Sequence, residues 1–358
     1  MIMRLLFSFL FAAGASGQSP IKGDELVLFF PTLGHRVVGG ESWELEVHGW
    51  IFESEPRTAF LGLVRRALGI EKEELTAEET ALFKERARWF LTDNERNKKI
   101  KVEIAGQTFA LTNSGANGHF AGRLKIAAKP GAALETERIS FRAITRESDE
   151  RVFAGEAVLL GAEGLSVISD IDDTIKVTNV RDRHELLRNT FCRPYRSVPG
   201  MVDVYRAWAT NHGAQFHYVT AGPWQLFAPT EEFTRTNGFP AGTFHMKLFR
   251  WKDETVMNLF ESPHLYKRAV IAPLLERYPA RRFVLVGDSG EKDPEAYGDL
   301  ARKHPKQVAR IFIRDVTGEA PDDKRYRKAF DKLPAELWKI FREPSEIRNE
   351  LARAVLAP

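Results

Sequence analysis

The chain has 358 residues, of which 43% are hydrophobic, enough for two domains with ordinary packed cores. Its net charge of +3, with 28% charged residues, excludes a polycation that coats nucleic acid. Its one cysteine, Cys192, excludes a disulfide within the chain, so the fold must depend on its hydrophobic core.

The first residues have the pattern of an export signal. Arg4 gives a short basic start, residues 5–13 are apolar, and residues 15–17 are small enough for cleavage. We therefore predict a signal peptide over residues 1–17 and export of the mature chain to the periplasm or the cell exterior. The alternatives are an uncleaved membrane anchor and a misassigned start, although the apolar run is short for a membrane-spanning helix.

Residues 24–161 mostly alternate between apolar and polar positions, which predicts β-strands with one face in water. Trp43, Leu45 and Val47, for example, alternate with polar neighbours. Similar runs occur at residues 100–104, 120–126 and 139–143. Turn residues separate these runs, so the pattern favours an antiparallel, sandwich-like β domain.

A helical insertion is predicted within this β-rich domain, at about residues 57–92. Thr76 and Glu79 have the spacing of a capping box, in which each side chain bonds the other residue's backbone N–H at the start of a helix. Because no spacing in residues 24–161 is typical of catalysis, we interpret this domain as a scaffold or a binding module.

The pattern changes after Gly164. Short continuous apolar runs then alternate with amphipathic helical stretches up to residue 318, which predicts an α/β domain with a Rossmann-like parallel sheet covered by helices. Ligands of such sheets bind beyond the carboxyl ends of the strands, where the strand order reverses. The remaining residues, 319–358, are predicted to form a helical tail.

Three carboxylates, Asp170, Asp172 and Asp173, follow the first apolar run of the α/β domain. Like charges this close repel each other, so solvent, a metal ion or a shared chemical task must compensate them. The sixth and twelfth positions of a calcium loop would fall on Ile175 and Arg181, where such a loop needs Gly and Glu. That interpretation is therefore excluded.

An aspartyl-phosphate site explains the three carboxylates better. A carboxylate can attack phosphorus and form a covalent intermediate, and a second acid can protonate the leaving oxygen. Since phosphate is also anionic, the site needs a divalent cation and a lysine, and Mg2+ suits it because it accepts carboxylate and phosphate oxygens. The chemistry predicts three further groups at later strand ends: a small hydroxyl, a lysine and an acidic metal ligand.

Those three groups follow in the expected order. Thr220 ends an apolar strand, Lys267 lies early in a helix, and Asp288 ends the next strand, with Asp293 five residues later. Lys247, in Phe-His-Met-Lys, is the alternative lysine. Lys267 is favoured over it because Lys267 lies on a predicted helix.

These motifs resemble a known family. Asp-Ile-Asp-Asp-Thr at residues 170–174 matches the opening motif of haloacid-dehalogenase-like phosphatases, and residues 287–293 match their late Gly-Asp motif. More narrowly, residues 164–318 are similar to the catalytic domain of the actin-patch phosphatidate phosphatases. The segments that carry this similarity are 169–176, 221–224, 283–291 and 311–317. The amino-terminal half loosely resembles the β-rich region that precedes this domain in bacterial relatives.

The resemblance implies a role for each residue of the catalytic set. Asp170 would be the nucleophile, Asp172 the general acid and base, and Thr174 the residue that shapes the loop. Thr220 would bind the phosphoryl oxygens, although the family more often has Ser there. Lys267, or else Lys247, would stabilise the negative charge.

The resemblance also implies a magnesium site. Asp288 would bind Mg2+ together with the Asp170 carboxylate and the Asp172 carbonyl, and Asp293 would support the ion from nearby. Asp173 occupies a variable position of the motif and is interpreted as structural.

The spacing of the motifs bears on the substrate. Only about 45 residues separate Thr174 from Thr220, which leaves little chain for a closed cap domain. An open mouth favours a phosphatidate-like lipid, while a soluble or protein-borne phosphomonoester is the alternative. A third hypothesis is a non-catalytic secreted binding module.

The tail offers a second indication of a lipid partner. Its basic residues could rest on an anionic membrane surface beside the aromatic side chains of the following predicted helix, or that helix could simply pack on the core. The basic residues are Lys324, Arg325, Arg327 and Lys328, and the apolar ones are Leu337, Trp338 and Phe341.

Overall fold

The structure is a computed structural model that describes residues 18–37, 42–127, 137–249 and 263–351. The predicted export signal, residues 1–17, lies outside these described residues. Within the described ranges, no helix is long and apolar enough to cross a membrane. The chain forms two compact units: the first contains residues 1–56 and 92–161, and the second contains residues 57–91 and 162–358.

The two units are built from fourteen strands and eight α-helices within the described ranges. The strands are β1 Glu25–Phe30, β2 Thr32–Arg36, β3 Ser42–Glu53, β4 Lys99–Ile104, β5 Gln107–Asn113, β6 His119–Ala127, β7 Glu137–Ala143, β8 Ala154–Leu160, β9 Leu165–Ser169, β10 Gln215–Pro223, β11 Gly242–Lys247, β12 Arg282–Asp288, β13 Val308–Arg314 and β14 Trp338–Phe341. The helices are α1 Leu61–Ala67, α2 Ala77–Ala87, α3 Arg183–Phe191, α4 Met201–His212, α5 Phe227–Asn237, α6 Pro263–Arg277, α7 Asp293–Lys303 and α8 Lys324–Ala329.

The first unit is a mixed sheet of eight strands. Its order is β1-β3-β2-β8-β7-β4-β5, with β6 also paired to β3. All pairs are antiparallel except β2 with β8, which is parallel, so the antiparallel prediction is wrong at this point. Pro31 separates β1 from β2, and both strands pair with β3. The period-two pattern places Leu45, Val47 and Val102 in the buried core, as predicted.

The helical insertion is present, but it packs with the second unit. A 3-10 turn at Thr58–Phe60 leads into α1, and α2 begins with the predicted capping box. There the Glu79 backbone N–H donates to Thr76 Oγ1 at 3.2 Å, and the Thr76 N–H donates to Glu79 Oε2 at 3.0 Å. The insertion contacts α3, where Arg188 bonds Glu79 at 2.9 Å.

The second unit is built on a six-stranded sheet in which every pair is parallel, as predicted. The strand order is β11-β10-β9-β12-β13-β14. The chain moves from β9 outward to β10 and β11, and then crosses to β12 on the other side of β9. The strand order therefore reverses between β9 and β12, which is where a ligand of such a sheet is expected to bind.

The prediction of a wholly helical tail is wrong. Residues Trp338–Phe341 form β14, which extends the parallel sheet beside β13, because pairing with an open sheet edge overrides local helical preference. Phe341 is buried, and Trp338 stacks on Phe330 with ring centroids 4.6 Å apart. Arg325 bonds Glu295 at 3.1 Å. The tail aromatics thus pack on the protein, which favours the core-packing alternative over a lipid surface at this position.

Candidate active site

The loop after β9 is held in a fixed shape by Asp173. The Asp173 carboxylate accepts hydrogen bonds from the backbone N–H groups of Thr178 at 2.7 Å, Asn179 at 2.8 Å and Val180 at 2.6 Å. These bonds hold Asp173 in the left-handed region, with a φ of 55°, which is uncommon for a residue with a side chain. The geometry agrees with a structural role for Asp173.

Asp170 lies directly after the central strand β9 and is buried. Its backbone N–H donates to the Val286 carbonyl of β12 at 2.8 Å, which fixes Asp170 at the reversal point of the sheet. Thr174 Oγ1 donates to Asp170 Oδ2 at 2.8 Å, and Lys267 Nζ lies 2.8 Å from Asp170 Oδ1. The structure thus brings Lys267 of α6 to the loop that contains Asp170 and Thr174.

Lys267 extends from the first part of α6 and is fully buried. Besides Asp170, its Nζ contacts Asp293 Oδ1 at 2.5 Å and Glu291 Oε2 at 3.0 Å. Burial opposes the charge on this ammonium, but the three carboxylates outweigh it and hold the pKa of Lys267 well above its usual value. Of the two candidate lysines, Lys267 contacts Asp170, whereas Lys247 ends β11 at the edge of the sheet.

Asp288 and Asp293 complete an acidic cluster around Asp170. One carboxylate oxygen of each of the three lies within 4.8 Å of the others. Asp293 Oδ2 accepts a hydrogen bond from the Asp288 N–H at 3.2 Å. Asp288 Oδ1 accepts the Gly290 N–H at 2.5 Å, but its buried Oδ2 has no hydrogen-bond partner among the described residues. A buried carboxylate oxygen in this state is suited to bind a cation.

The charges of the cluster are unbalanced without a cation. In the part of the chain that the structure describes, four carboxylates, those of Asp170, Asp288, Glu291 and Asp293, lie around the Lys267 ammonium. Burial raises the pKa of Asp170 well above its usual value, and the neighbouring carboxylates add to this rise while Lys267 opposes it. Burial and repulsion from Asp293 and Asp170 raise the pKa of Asp288 in the same way. A divalent cation fits this site because it would offset the excess negative charge.

Asp172 points to a different set of partners. Its Oδ1 lies 2.9 Å from Lys176 Nζ and accepts from Thr178 Oγ1 at 2.8 Å, while its Oδ2 accepts from Thr220 Oγ1 at 3.0 Å. Burial opposes the ionisation of Asp172, but the Lys176 ammonium and the hydroxyl donors outweigh it and hold the pKa of Asp172 below its usual value. Asp172 is therefore held as a carboxylate.

A small pocket of about 90 Å³ opens beside Asp172 and Thr220. The Gly222 N–H donates to Thr220 Oγ1 at 2.9 Å, so the hydroxyl proton is directed to Asp172. The lining residues are Asp172, Val180, Leu186, Thr220, Ala221, Gly222 and Glu291. The predicted hydroxyl and the predicted acid thus lie on one wall of one pocket.

Two residues of the site were missed by the sequence interpretation. Lys176 pairs with Asp172 four residues away, and Glu291 pairs with Lys267. Both lie within segments that carry the family resemblance, but the spacing of Glu291 gave no indication of its partner. A lysine four residues after an acid was the available signal for Lys176.

The fold and the site together define a class of protein. A buried carboxylate in contact with an ammonium, beside acids able to hold a cation, is typical of an enzyme that uses nucleophilic and metal-assisted catalysis. Residues 165–315 match the family model described as phosphatidate phosphatase APP1, catalytic domain. For this segment, the match confirms the resemblance seen in the motifs.

Two fungal proteins are similar to this chain. An uncharacterized protein of Schizosaccharomyces pombe is 28% identical over 190 residues, which span 52% of this chain and 31% of that protein. Phosphatidate phosphatase APP1 of Saccharomyces cerevisiae is 35% identical over 162 residues, which span 44% of this chain and 27% of that protein. The matches therefore cover less than a third of either relative.

One solved structure aligns with most of this chain at low similarity. A β-glucuronidase of Parabacteroides merdae aligns over 85% of this chain and 34% of its own, with 9% identity and a TM-score of 0.25. This score is too low to indicate a shared fold.

Proposed function

We propose that the chain is a Mg2+-dependent phosphatase of the haloacid-dehalogenase-like superfamily, which hydrolyses a phosphatidate-like lipid through a phospho-aspartyl intermediate. The observation that carries this proposal is the contact of Lys267 Nζ with Asp170 Oδ1 at 2.8 Å, beside the Asp288 Oδ2, which has no hydrogen-bond partner among the described residues. The family match of residues 165–315 supports the same chemistry.

In the first step, a carboxylate oxygen of Asp170 forms a bond to phosphorus, and the bond from phosphorus to the ester oxygen breaks. Asp172 gives a proton to the leaving oxygen, which departs as an alcohol. To act as this acid, Asp172 must first be protonated, which the arrival of a phosphate dianion as a like charge favours. The Lys267 ammonium, which contacts Asp170, offsets the negative charge around this nucleophile.

In the second step, Asp172 accepts a proton from water, whose oxygen bonds to phosphorus while the bond to Asp170 breaks. The ion pair with Lys176 keeps Asp172 in the carboxylate form that this step needs. Asp170 and Asp288 would hold Mg2+, with Asp293 in support, and the bound ion would neutralise the phosphoryl oxygens. Inorganic phosphate is then released.

The substrate is proposed from the family match and the open pocket beside Asp172. A phosphate group at the surface of a lipid aggregate needs an accessible site more than an enclosing one. A soluble or protein-borne phosphomonoester remains the second candidate, since the same chemistry serves it.

Export of the protein is proposed from the pattern of residues 1–17 alone.

Purified protein with Mg2+ should release phosphate from phosphatidate in detergent micelles faster than from a soluble aryl phosphate. Chelation of the metal should abolish both reactions, because the carboxylate cluster then repels the phosphate. Faster release from the soluble ester would contradict the assignment of a lipid substrate but would agree with the proposed phosphatase mechanism. No release from any ester would contradict the enzyme and favour a binding module.

Mg2+ should also stabilise the folded chain. A ligand that binds only the folded state raises the unfolding temperature by mass action, and here it also removes repulsion among Asp170, Asp288 and Asp293. Thermal unfolding with and without Mg2+ measures this rise, which the Asp288→Asn variant should largely lose. Asp299→Asn, on the outer side of α7, is the matched control and should keep it. An equal rise in the Asp288→Asn variant would exclude Asp288 as a ligand.

A further inference from the structure

The second unit exposes large apolar side chains. Among the described residues, five large hydrophobic side chains are more than a third exposed. Four of them belong to the second unit, and the fifth, Val152, lies in the first. The four are Phe60 at 49%, Leu63 at 51%, Leu248 at 38% and Leu265 at 57%. Exposed apolar side chains mark a contact surface where they lie close to one another.

The turn and helix at the start of the insertion expose large apolar side chains. Val64 and Leu68 are buried and face the protein. Phe60 and Leu63, three residues apart, lie on the exposed side together with Ala67. A surface helix usually turns charged or polar residues toward water, so the exposure of Phe60 and Leu63 indicates that something else covers these two side chains.

This apolar surface adjoins the candidate active site. The ring of Phe90, near the end of the insertion, packs 6.0 Å from the ring of Phe249. Gln225 donates to the Phe249 carbonyl at 2.9 Å and lies three residues after Gly222, which lines the pocket. Leu248 directly precedes Phe249, at the carboxyl end of the parallel sheet where the site lies.

The start of the insertion lies beside its end, because the Arg57 N–H donates to the Leu91 carbonyl at 3.1 Å. Phe60 therefore lies one turn from the segment that packs near the pocket. Leu265 is in the first turn of α6, two residues before Lys267, which contacts the site. These contacts connect each segment that contains one of the four exposed side chains to the candidate active site.

The short segment that contains Phe60 and Leu63 is basic. Residues 57–70 contain three arginines and no acidic residue. Arg57 and Arg66 are exposed beside Phe60 and Leu63. Exposed apolar side chains flanked by arginines are typical of a segment that lies on an anionic lipid surface.

We propose that Phe60, Leu63, Leu248 and Leu265, with Arg57 and Arg66, form a docking surface for an anionic lipid bilayer. The inference rests on the proposed function, since a phosphatidate head group stays at the bilayer surface and the pocket must be brought to it. The apolar side chains enter the head-group region, and the arginines contact lipid phosphates. The carboxyl-terminal tail, whose aromatic residues pack on the protein, is not this surface.

The test compares wild type with the Phe60→Ser, Leu63→Ser double variant in binding to vesicles of phosphatidylcholine and phosphatidylserine. These lipids are anionic overall and contain no phosphomonoester, so binding is measured apart from hydrolysis. We expect vesicle binding at least about tenfold weaker in the double variant, because two apolar side chains no longer leave water. Arg66→Gln should weaken binding about fivefold, and high salt should mimic it.

The matched control is Val152→Ser, which removes an exposed apolar side chain from the first unit and should leave vesicle binding unchanged. The unfolding temperature and the rate on a soluble aryl phosphate should match wild type in the double variant and in Val152→Ser, which would show that the fold is intact. The double variant, which binds vesicles less tightly, should also hydrolyse phosphatidate in vesicles more slowly than wild type.

Vesicle binding by the double variant equal to wild type would overturn the proposal, as would a wild type that does not bind these vesicles. A change in oligomeric state with unchanged vesicle binding would show that a second copy of the chain covers the surface, and would overturn it too. If wild type hydrolyses no phosphatidate but binds vesicles through Phe60 and Leu63, the proposed function fails while the docking surface stands.

Discussion

The Asp170→Asn variant is expected to release phosphate at least about a thousandfold more slowly than wild type, as when other covalent nucleophiles are removed. The amide keeps the shape of the side chain and can still accept the Thr174 hydroxyl, but it cannot attack phosphorus. The measurement is phosphate release from phosphatidate micelles with Mg2+. Rapid quenching in acid should also trap a phosphorylated protein in wild type and none in the variant.

Two further variants make this result specific. Asp322→Asn changes an exposed aspartate outside the site and should keep the wild-type rate. Asp172→Asn removes the base for the second step, so phosphorylated protein should accumulate with an aryl phosphate, whose leaving oxygen needs little help from the acid of the first step. A rate within a few-fold of wild type for Asp170→Asn would show that another group attacks phosphorus.

Much of the candidate site could be predicted from the sequence, because its residues lie at the ends of strands. Asp170 follows β9, Thr220 lies in β10 and Asp288 ends β12, and the carboxyl ends of parallel strands meet at one edge. The spacing and the chemistry of phosphate transfer therefore identified residues that the structure brings together. Lys267 was favoured over Lys247 for its helical position, and it is the lysine that contacts Asp170.

The contacts that tune these residues could not be predicted. The ion pair of Asp172 with Lys176 depends on the fold of the loop that Asp173 holds in place. Similarly, the lack of a partner at Asp288 Oδ2 depends on where every neighbouring donor points. Sequence spacing describes the order of groups along the chain, whereas these properties depend on distances between loops.

The fold shows the same division. Period-two and alternating patterns correctly indicated a β-rich unit and a parallel sheet, since burial of one or both faces of a strand sets those patterns. The insertion at residues 57–91 was assigned to the β-rich half by its position, yet Phe83 packs its ring 6.4 Å from Phe191 of the second unit. Strand β14 was missed because an open sheet edge decides its conformation.

Lys267→Met is expected to lower both stability and activity. Removal of the ammonium leaves Asp170, Glu291 and Asp293 without their buried cationic partner. Breaking a buried ion pair in this way costs about 3–5 kcal/mol of the free energy of unfolding, although Met retains most of the packing. Phosphate release should also fall at least about a hundredfold, since a fixed charge near the phosphoryl group is lost. Urea unfolding of the metal-free protein measures the first effect.

The control is Arg268→Met, the next residue of α6, whose guanidinium bonds Asp299 at 2.7 Å on the surface. An exposed pair of this kind contributes at most about 1 kcal/mol, so the two variants should differ clearly. Mg2+ should recover part of the stability of Lys267→Met, because the cation offsets the same carboxylates that Lys267 neutralises. If Lys267→Met unfolds at the same urea concentration as Arg268→Met, repulsion among these carboxylates does not govern the site. The cluster would then have no electrostatic need of a divalent cation.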